Sequence, residues 1–267
     1  MKKVSLSPRH AAFLRSARRR QFLVRLCQCG ILILFLFLWE LLASNNIIDP
    51  FIMSSPSRIC KTIALLSASG ELWQHVWIST EETMLGFLIG TFLGSAAAVV
   101  LWWSPLLNEV LEPYVVVLNS LPKIALGPVI IIWVGTGKPA IITMAVLISV
   151  VITTITMLGG FLETSADKIL LLRTLHATKT QIFCKLVLPA NLPTLASTLK
   201  INVGMSWVGS IMGEYLVSKA GLGYLIVYGS QVFQLDLVMA CTLLLCLLAG
   251  VMYFLVAALE KLFLKWQ

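Results

Sequence analysis

The sequence is short of charge: only 12% of its 267 residues are Asp, Glu, Lys or Arg, while 58% are apolar. A soluble domain carries roughly 25% charged residues, so too little is left here to cover a water-facing surface. Paired cysteines are missing. Cys27, Cys29, Cys60, Cys184, Cys241 and Cys246 form no CxxC pair, which removes a disulfide framework and leaves them as small apolar side chains. No HExxH, no His/Cys cluster and no GxSxG is present, so neither a metal nor a cofactor is expected, and a membrane-embedded enzyme has no constellation to work with. The phosphate cradle GxxxxGK[ST] is only imitated, at Gly135-Thr136-Gly137-Lys138-Pro139. Ile132 stands where the leading glycine should be and Pro139 where the hydroxyl should be. Any ATP hydrolysis must come from another chain. A proton-driven carrier needs ionisable groups inside the membrane, yet Glu40, Glu81, Glu82 and Glu214 fall near the ends of apolar stretches and His10, His75 and His176 outside them. An ion-coupled carrier or channel working alone therefore remains the competing class without visible parts.

What the sequence has is apolar length. A helix needs about 20 apolar residues to cross the hydrocarbon, and the stretches that qualify are Phe22 to Ala43, Met84 to Trp103, Tyr114 to Val134, Ala140 to Phe161, Leu192 to Leu216 and Leu237 to Phe263. The expected fold is an all-α polytopic membrane protein. Lys2, Lys3, Arg9, Arg15, Arg18, Arg19, Arg20 and Arg25 cluster at the start, with no acidic residue before Glu40, and basic flanks stay on the cytoplasmic side. Residues 1–21 are thus expected to form a basic cytoplasmic tail, 22–43 a first transmembrane helix, 44–80 an outer loop, and 81–267 a five-helix core that contains a cytoplasmic loop at 163–191, with 104–113 as a further inner loop. Both termini lie inside in this count. Lys168, Arg173, Lys179 and Lys185, and Lys261 and Lys265 near the end, fall on the inner side, with Trp102, Trp103 and Trp266 at the inner interface. Arg19-Arg20-Gln21-Phe22-Leu23 imitates a twin-arginine export signal, but the chain downstream of it is too apolar to be an exported soluble protein. A basic cluster that runs straight into a membrane helix is not a nucleic-acid site.

In the outer segment, Asp49-Pro50 and Ser54-Ser55-Pro56-Ser57 read as turns. Ile59, Ile63 and Leu66, then Leu72, Trp73, Val76 and Trp77, recur at helical spacing and predict one or two amphipathic helices on the outer membrane face. The third stretch is interrupted. Leu121-Pro122-Lys123-Ile124-Ala125-Leu126-Gly127-Pro128 puts two prolines and a glycine at membrane depth, where freed carbonyls must face protein or a cavity. This marks Asn119, Ser120, Pro122, Lys123 and Gly127 as candidates for a translocation path, the alternative being a packed kink. Asn202, Ser206 and Ser210 repeat every four residues along one side of the fifth stretch; they are path candidates or, alternatively, interhelical hydrogen-bonding groups. In the loop 163–191, Ile169, Leu170, Leu172 and Leu175, then Ile182, Phe183, Leu186 and Val187, alternate with basic residues. They predict two short helices joined at His176-Ala177-Thr178-Lys179 and closed by Leu188-Pro189, a shape able to press an apolar ridge into a partner.

This loop resembles the cytoplasmic signature of permease subunits of ATP-binding-cassette importers: EAA, three residues, Gly, nine residues, then I-x-L-P. Leu186-Val187-Leu188-Pro189, Arg173-Thr174-Leu175 and Ala190-Asn191-Leu192-Pro193 fit it. Leu170-Leu171-Leu172 stand at the EAA positions and His176 at the glycine. Ser55-Pro56-Ser57, the segment 121–128 with Trp133-Val134-Gly135-Thr136-Gly137, and Ala220-Gly221-Leu222-Gly223-Tyr224-Leu225-Ile226 are similar to the nitrate, sulfonate and taurine branch, which also includes carriers of thiamine-precursor pyrimidines. The likeness extends from about residue 30 to the end.

The resemblance implies a type I importer permease: one half of a homodimeric channel in the cell membrane, bathed in lipid, docked on two copies of an ATPase and fed by a separate solute-binding protein. The solute would be a sulfonate, nitrate, taurine or similar organic anion, or alternatively a thiamine-precursor pyrimidine. Asp167, Arg173, Leu175, His176, Ala177, Thr178 and Lys179, with Leu188 and Pro189, would couple to the ATPase. A glycine at such a joint often takes positive φ, and histidine tolerates that region better than most residues, so His176 is expected to keep the turn. Glu81-Glu82 stand where this branch commonly has an arginine; they read either as an altered outer partner surface or as solvated carboxylates at a helix N-terminus.

Overall fold

The computed structural model describes residues 8–263, all of them in helices and turns. Lys2, Lys3, Lys265 and Trp266, and the side chains of Arg9, Arg15, Arg18 and Arg25, lie outside the described residues. The chain forms two units, one ending at Thr62 and one starting at Ile63.

In the first unit, α1 (Pro8–Ser44) begins on a proline and continues without a break at residue 21. Proline suits a first helical position because its missing N–H would be unpaired there anyway, and no glycine or further proline intervenes before Gly30. Asp49 caps α2 (Pro50–Met53) by accepting from the Phe51 N–H at 2.8 Å. The start of α3 (Pro56–Ala68) is capped from α1: the Glu40 carboxylate accepts from Ser57 N–H at 2.9 Å and Ser57 Oγ at 2.7 Å, satisfying first-turn groups with the charge sign the helix dipole favours.

The second unit takes in the end of α3 from Ile63 and then α4 (Glu71–Trp103), separated from α3 by Gly70 at φ 79°. Leu72, Trp73, Val76 and Trp77 are the first turns of α4, not part of a surface helix of their own. Glutamate is a good helix former and costs the helix nothing, so Glu81-Glu82 sits inside it and residue 80 marks no boundary. Residues 104–113, expected as an inner loop, are helical too: Ser104 caps α5 (Pro105–Ser120) by accepting from Leu107 N–H. The break expected at Pro122 is real. α5 turns by 91° into a short 3₁₀ segment (Lys123–Leu126) and α6 (Gly127–Val134). Beyond these come α7 (Lys138–Leu162), α8 (Ala166–Thr174), α9 (Lys179–Ile182), a π-turn (Phe183–Val187), α10 (Leu188–Ala190), α11 (Leu192–Val217), α12 (Leu222–Gln231) and α13 (Leu235–Phe263). Among the described residues four helices can cross a membrane by length and composition, or six spans if each bent pair counts as one.

α7 is wedged between α4 and α11. Gly86, Gly90 and Gly94 of α4 face Ala145, Ser149 and Thr153 of α7 in that order, so closely that a Cβ on Gly90 would lie 2.5 Å from the Ser149 Cβ. Gly209 and Gly213 bring α11 onto Ala145 and Ile141, with room of 2.6 and 2.8 Å for an added Cβ. The paired numbers rise together for α4 and α7, which are therefore parallel. They run oppositely for α7 and α11, as Ser149–Ser206 at 2.9 Å also shows. Parallel α4 and α7 require one membrane crossing between them, so α5 through α6 is a broken span and not a re-entrant loop. Antiparallel α7 and α11 require none, so α8 to α10 stay on one membrane side.

Small residues permit this approach where no hydrophobic drive acts between helices in lipid. Gly90→Val should therefore lower the thermal unfolding midpoint of the detergent-solubilised chain, overpacking costing about 1–3 kcal/mol. Gly204→Ala, at a glycine with nothing within 4 Å, should leave it unchanged. Equal midpoints for the two variants would contradict the wedge.

Candidate functional site

The α8–α10 element is a hairpin whose joint is built by backbone geometry. His176 takes φ 57°. Its N–H donates to Arg173 O at 2.9 Å and the Ala177 N–H to Leu172 O at 3.0 Å, the paired bonds that close a helix when the next residue is left-handed. The turn expected of His176 is thus made, at the position where the likeness calls for glycine. α9 then starts on a reciprocal cap: Gln181 N–H donates to Thr178 Oγ1 at 3.3 Å and Thr178 N–H to Gln181 Oε1 at 2.8 Å. The T-x-x-Q spacing was a readable signal for that start. Pro189 has no N–H to return to a carbonyl one turn earlier, and the chain ahead of it widens into the π-turn, Leu188 N–H reaching Phe183 O.

The hairpin is bolted to the bundle. Phe183 packs on Trp102 with ring centres 5.0 Å apart and on Phe161 at 5.5 Å, beside Ile182, Val187, Met157 and Ala98. Lys179 donates to Trp103 O, the last carbonyl of α4, at 2.5 Å, and lies 5.7 Å from the Trp102 ring centre. Ile169, Leu172 and Ala177 face this core. The opposite side is bare: Leu170 and Leu171 are 60% exposed and Leu175 69%. Asp167, Arg173, Thr178 and Lys179 are exposed around that ridge, Leu188 is exposed behind it and Pro189 half-buried.

The path candidates divide. Asn119, Ser120 and Pro122 are exposed at the α5–α6 corner, and Lys123 is half-buried. Lys123 donates to Asn119 O at 2.9 Å, so its ammonium caps a carbonyl at the end of α5, where a cation is favoured. Gly127 is buried because the Leu216 side chain fills the space a Cβ would need. Asn202, Ser206 and Ser210 are 0% exposed on the single chain and make the interhelical bonds that were the alternative to a path. Asn202 donates to Thr91 at 3.0 Å and Thr153 at 2.5 Å, Ser206 pairs with Ser149, and Ser210 with Thr83 at 2.6 Å. They are interhelical bonds, made because polar groups in lipid find partners or pay for their absence.

The end of the bundle remote from the hairpin holds a cluster that sequence reasoning missed. The first N–H groups at α12 are taken up by side chains of other helices: Gly221 N–H donates to His75 Nδ1 at 2.9 Å, Leu222 N–H to Ser79 Oγ at 2.8 Å, and Gly223 N–H to the Glu214 carboxylate at 2.6 Å. Gly221, at φ 116°, leaves space for the Glu214 carboxylate where a Cβ would collide. Glu81 pairs with Lys138 at 2.6 Å. Glu82, read as a solvated or partner-facing carboxylate, is 3% exposed. Only tertiary packing reveals either role.

His176→Gly should keep the hairpin closed, since glycine accepts positive φ freely. His176→Val should loosen it, a left-handed β-branched residue costing about 1–2 kcal/mol. Hydrogen exchange over residues 166–182 reads both: expected are wild-type protection for glycine and about tenfold faster exchange for valine. Unchanged protection with valine would contradict a fixed joint.

The model of the family described as "binding-protein-dependent transport system inner membrane component" matches residues 88–265. An ABC transporter permease protein of Haemophilus influenzae is 31% identical over 219 residues, covering 82% of this chain and 89% of that protein. A Bacillus subtilis permease named for aliphatic sulfonate transport, SsuC, is 27% identical over 86% of this chain and 83% of its own length. Among solved structures, inward-facing conformations of the MetNI methionine ABC transporter superpose with a TM-score of 0.65 at 21% identity, over 73% of this chain and 97% of that one, a likeness of fold. With its helical bundle, its α8–α10 hairpin and these likenesses, the chain belongs to the binding-protein-dependent transport family of inner-membrane components: it is a multi-pass permease subunit of an ABC importer, whose ATPase is a separate subunit.

Proposed function

We propose that the chain forms half of the translocation path for a small organic anion of the sulfonate class, and that the α8–α10 hairpin is where it takes up the ATPase's motion. The observation that carries the second part is the bare ridge of Leu170, Leu171 and Leu175 on an element fastened to α4 and α7 by Phe183. An exposed apolar ridge on a rigid base suits a groove on a partner. Leucines at the EAA positions replace an acidic contact with an apolar one, so the ATPase groove is apolar at that point. Two ATPase copies serve two copies of this chain. The homodimer reading is supported by the α5–α6 corner: Asn119, Ser120 and Pro122 are exposed on a single chain, and a second copy would close a path around them. Lys168, Arg173, Lys179 and Lys185 on the hairpin support a cytoplasmic position for that end; on this reading both termini lie inside and the α12 end faces the solute-binding protein. The sulfonate class rests on the relative SsuC.

Reconstituted with its ATPase and binding protein in proteoliposomes, the chain should take up an alkylsulfonate on addition of ATP. Uptake driven by an ion gradient without the ATPase would overturn this reading. Leu175→Asp and Leu171→Asp should each reduce ATPase co-purification about tenfold, since burying a leucine is worth about 1.5–3 kcal/mol. Wild-type co-purification and sulfonate-stimulated hydrolysis in both variants would remove the ridge from the interface.

A further inference from the structure

The side of the hairpin that faces the bundle carries a second feature. Between it and the α4–α5 corner lies a cleft of about 430 Å³, lined in part by Trp102, Asn108, Glu109, Arg173 and Lys179. Its charges are opposed and do not meet. Among the described residues neither Arg173 nor Glu109 has an ion-pair partner, so the two walls are held beyond ion-pair distance. Leu101 lines this cleft and also a neighbouring apolar groove of about 330 Å³, whose walls include Leu107, Leu111, Val115 and Leu118 of α5 and Val150 and Val151 of α7.

A ligand that matches both spaces carries an anion, an ammonium a few bonds away, and a hydrocarbon chain. We propose that the cleft and groove bind one phosphatidylethanolamine molecule from the surrounding bilayer. Its phosphate pairs with Arg173 and Lys179 as charge-assisted hydrogen bonds. Its primary ammonium pairs with the exposed Glu109 carboxylate, and an acyl chain fills the groove along α5. Trp102 stands at the edge, at the depth where indoles and head groups meet. Phosphatidylglycerol offers Glu109 only neutral hydroxyls, and phosphatidylcholine has no N–H to donate. A lipid seated here ties the hairpin to the α4–α5 corner, so the stiffness of the hairpin depends on head-group chemistry. The inference needs the hairpin end to lie at a bilayer surface; it does not rest on the solute or on ATPase docking.

The test uses the full chain in nanodiscs of equal parts phosphatidylethanolamine and phosphatidylglycerol, followed by native mass spectrometry of retained lipid. Wild type should retain phosphatidylethanolamine about tenfold over phosphatidylglycerol, one molecule per chain. Glu109→Gln should bring that ratio near one, and Leu111→Trp, which fills the groove, should reduce retention of both. Leu255→Trp, on an exposed face of α13, should behave as wild type. In hydrogen exchange, residues 166–182 should be slower in phosphatidylethanolamine than in phosphatidylglycerol for wild type and equal for Glu109→Gln. No preference in wild type, or a wild-type preference in Glu109→Gln, would overturn the proposal.

Discussion

Where α4, α7 and α11 pass one another there is no space for a side chain at the glycines of α4 and α11. Glycines at 86, 90 and 94 accept the face formed by Ala145, Ser149 and Thr153, and glycines at 209 and 213 accept the same helix from the other side. Lipid gives such helices no reason to associate beyond close contact and hydrogen bonds, and both are supplied. Thr83–Ser210, Ser149–Ser206 and the Asn202 bonds to Thr91 and Thr153 run as a polar seam through an otherwise apolar bundle. The register fixes helix direction, helix direction fixes how often the chain crosses, and that in turn fixes which segments share a membrane side.

Both ends of the bundle are fastened to this trio. At one end Phe183 lies against the ends of α4 and α7; at the other, His75 and Ser79 of α4 and Glu214 of α11 hold the first turn of α12. α13 is joined as well, through Lys200 and Glu260 at 2.9 Å. A push on the hairpin therefore meets packed backbone along the whole trio rather than a flexible linker. Discrete, jointly packed helices are what allow a small displacement at one site to become a rigid-body shift at another.

Much of this was legible in the sequence because the membrane imposes length and polarity so strongly. The apolar stretches predicted the long helices, Pro122 predicted the broken span, the spacing around His176 predicted a hairpin, and the family likeness, with glycine at that position, implied a left-handed joint. Helix limits were less legible. Glu81-Glu82 and Ser104 to Pro113 looked like interruptions, yet glutamates and a proline placed at the first helical position are compatible with helix. The four-residue repeat of Asn202, Ser206 and Ser210 marked one face of a helix correctly, but periodicity does not say whether that face meets a path or a neighbour. Glycines at 86, 90 and 94 had the spacing of a packing face and went unread. The caps of α12 come from residues 75, 79 and 214, which no local pattern joins.

The account turns on which end of the bundle receives the ATPase. A photo-crosslinking amino acid at position 175, on the hairpin ridge, and another at position 228, on an exposed face of α12, should separate the possibilities in native membrane vesicles containing the assembled transporter. An adduct with the ATPase from position 175 and none from position 228 is predicted. An adduct from position 228, or none from 175 in a complex that still hydrolyses ATP, would contradict it.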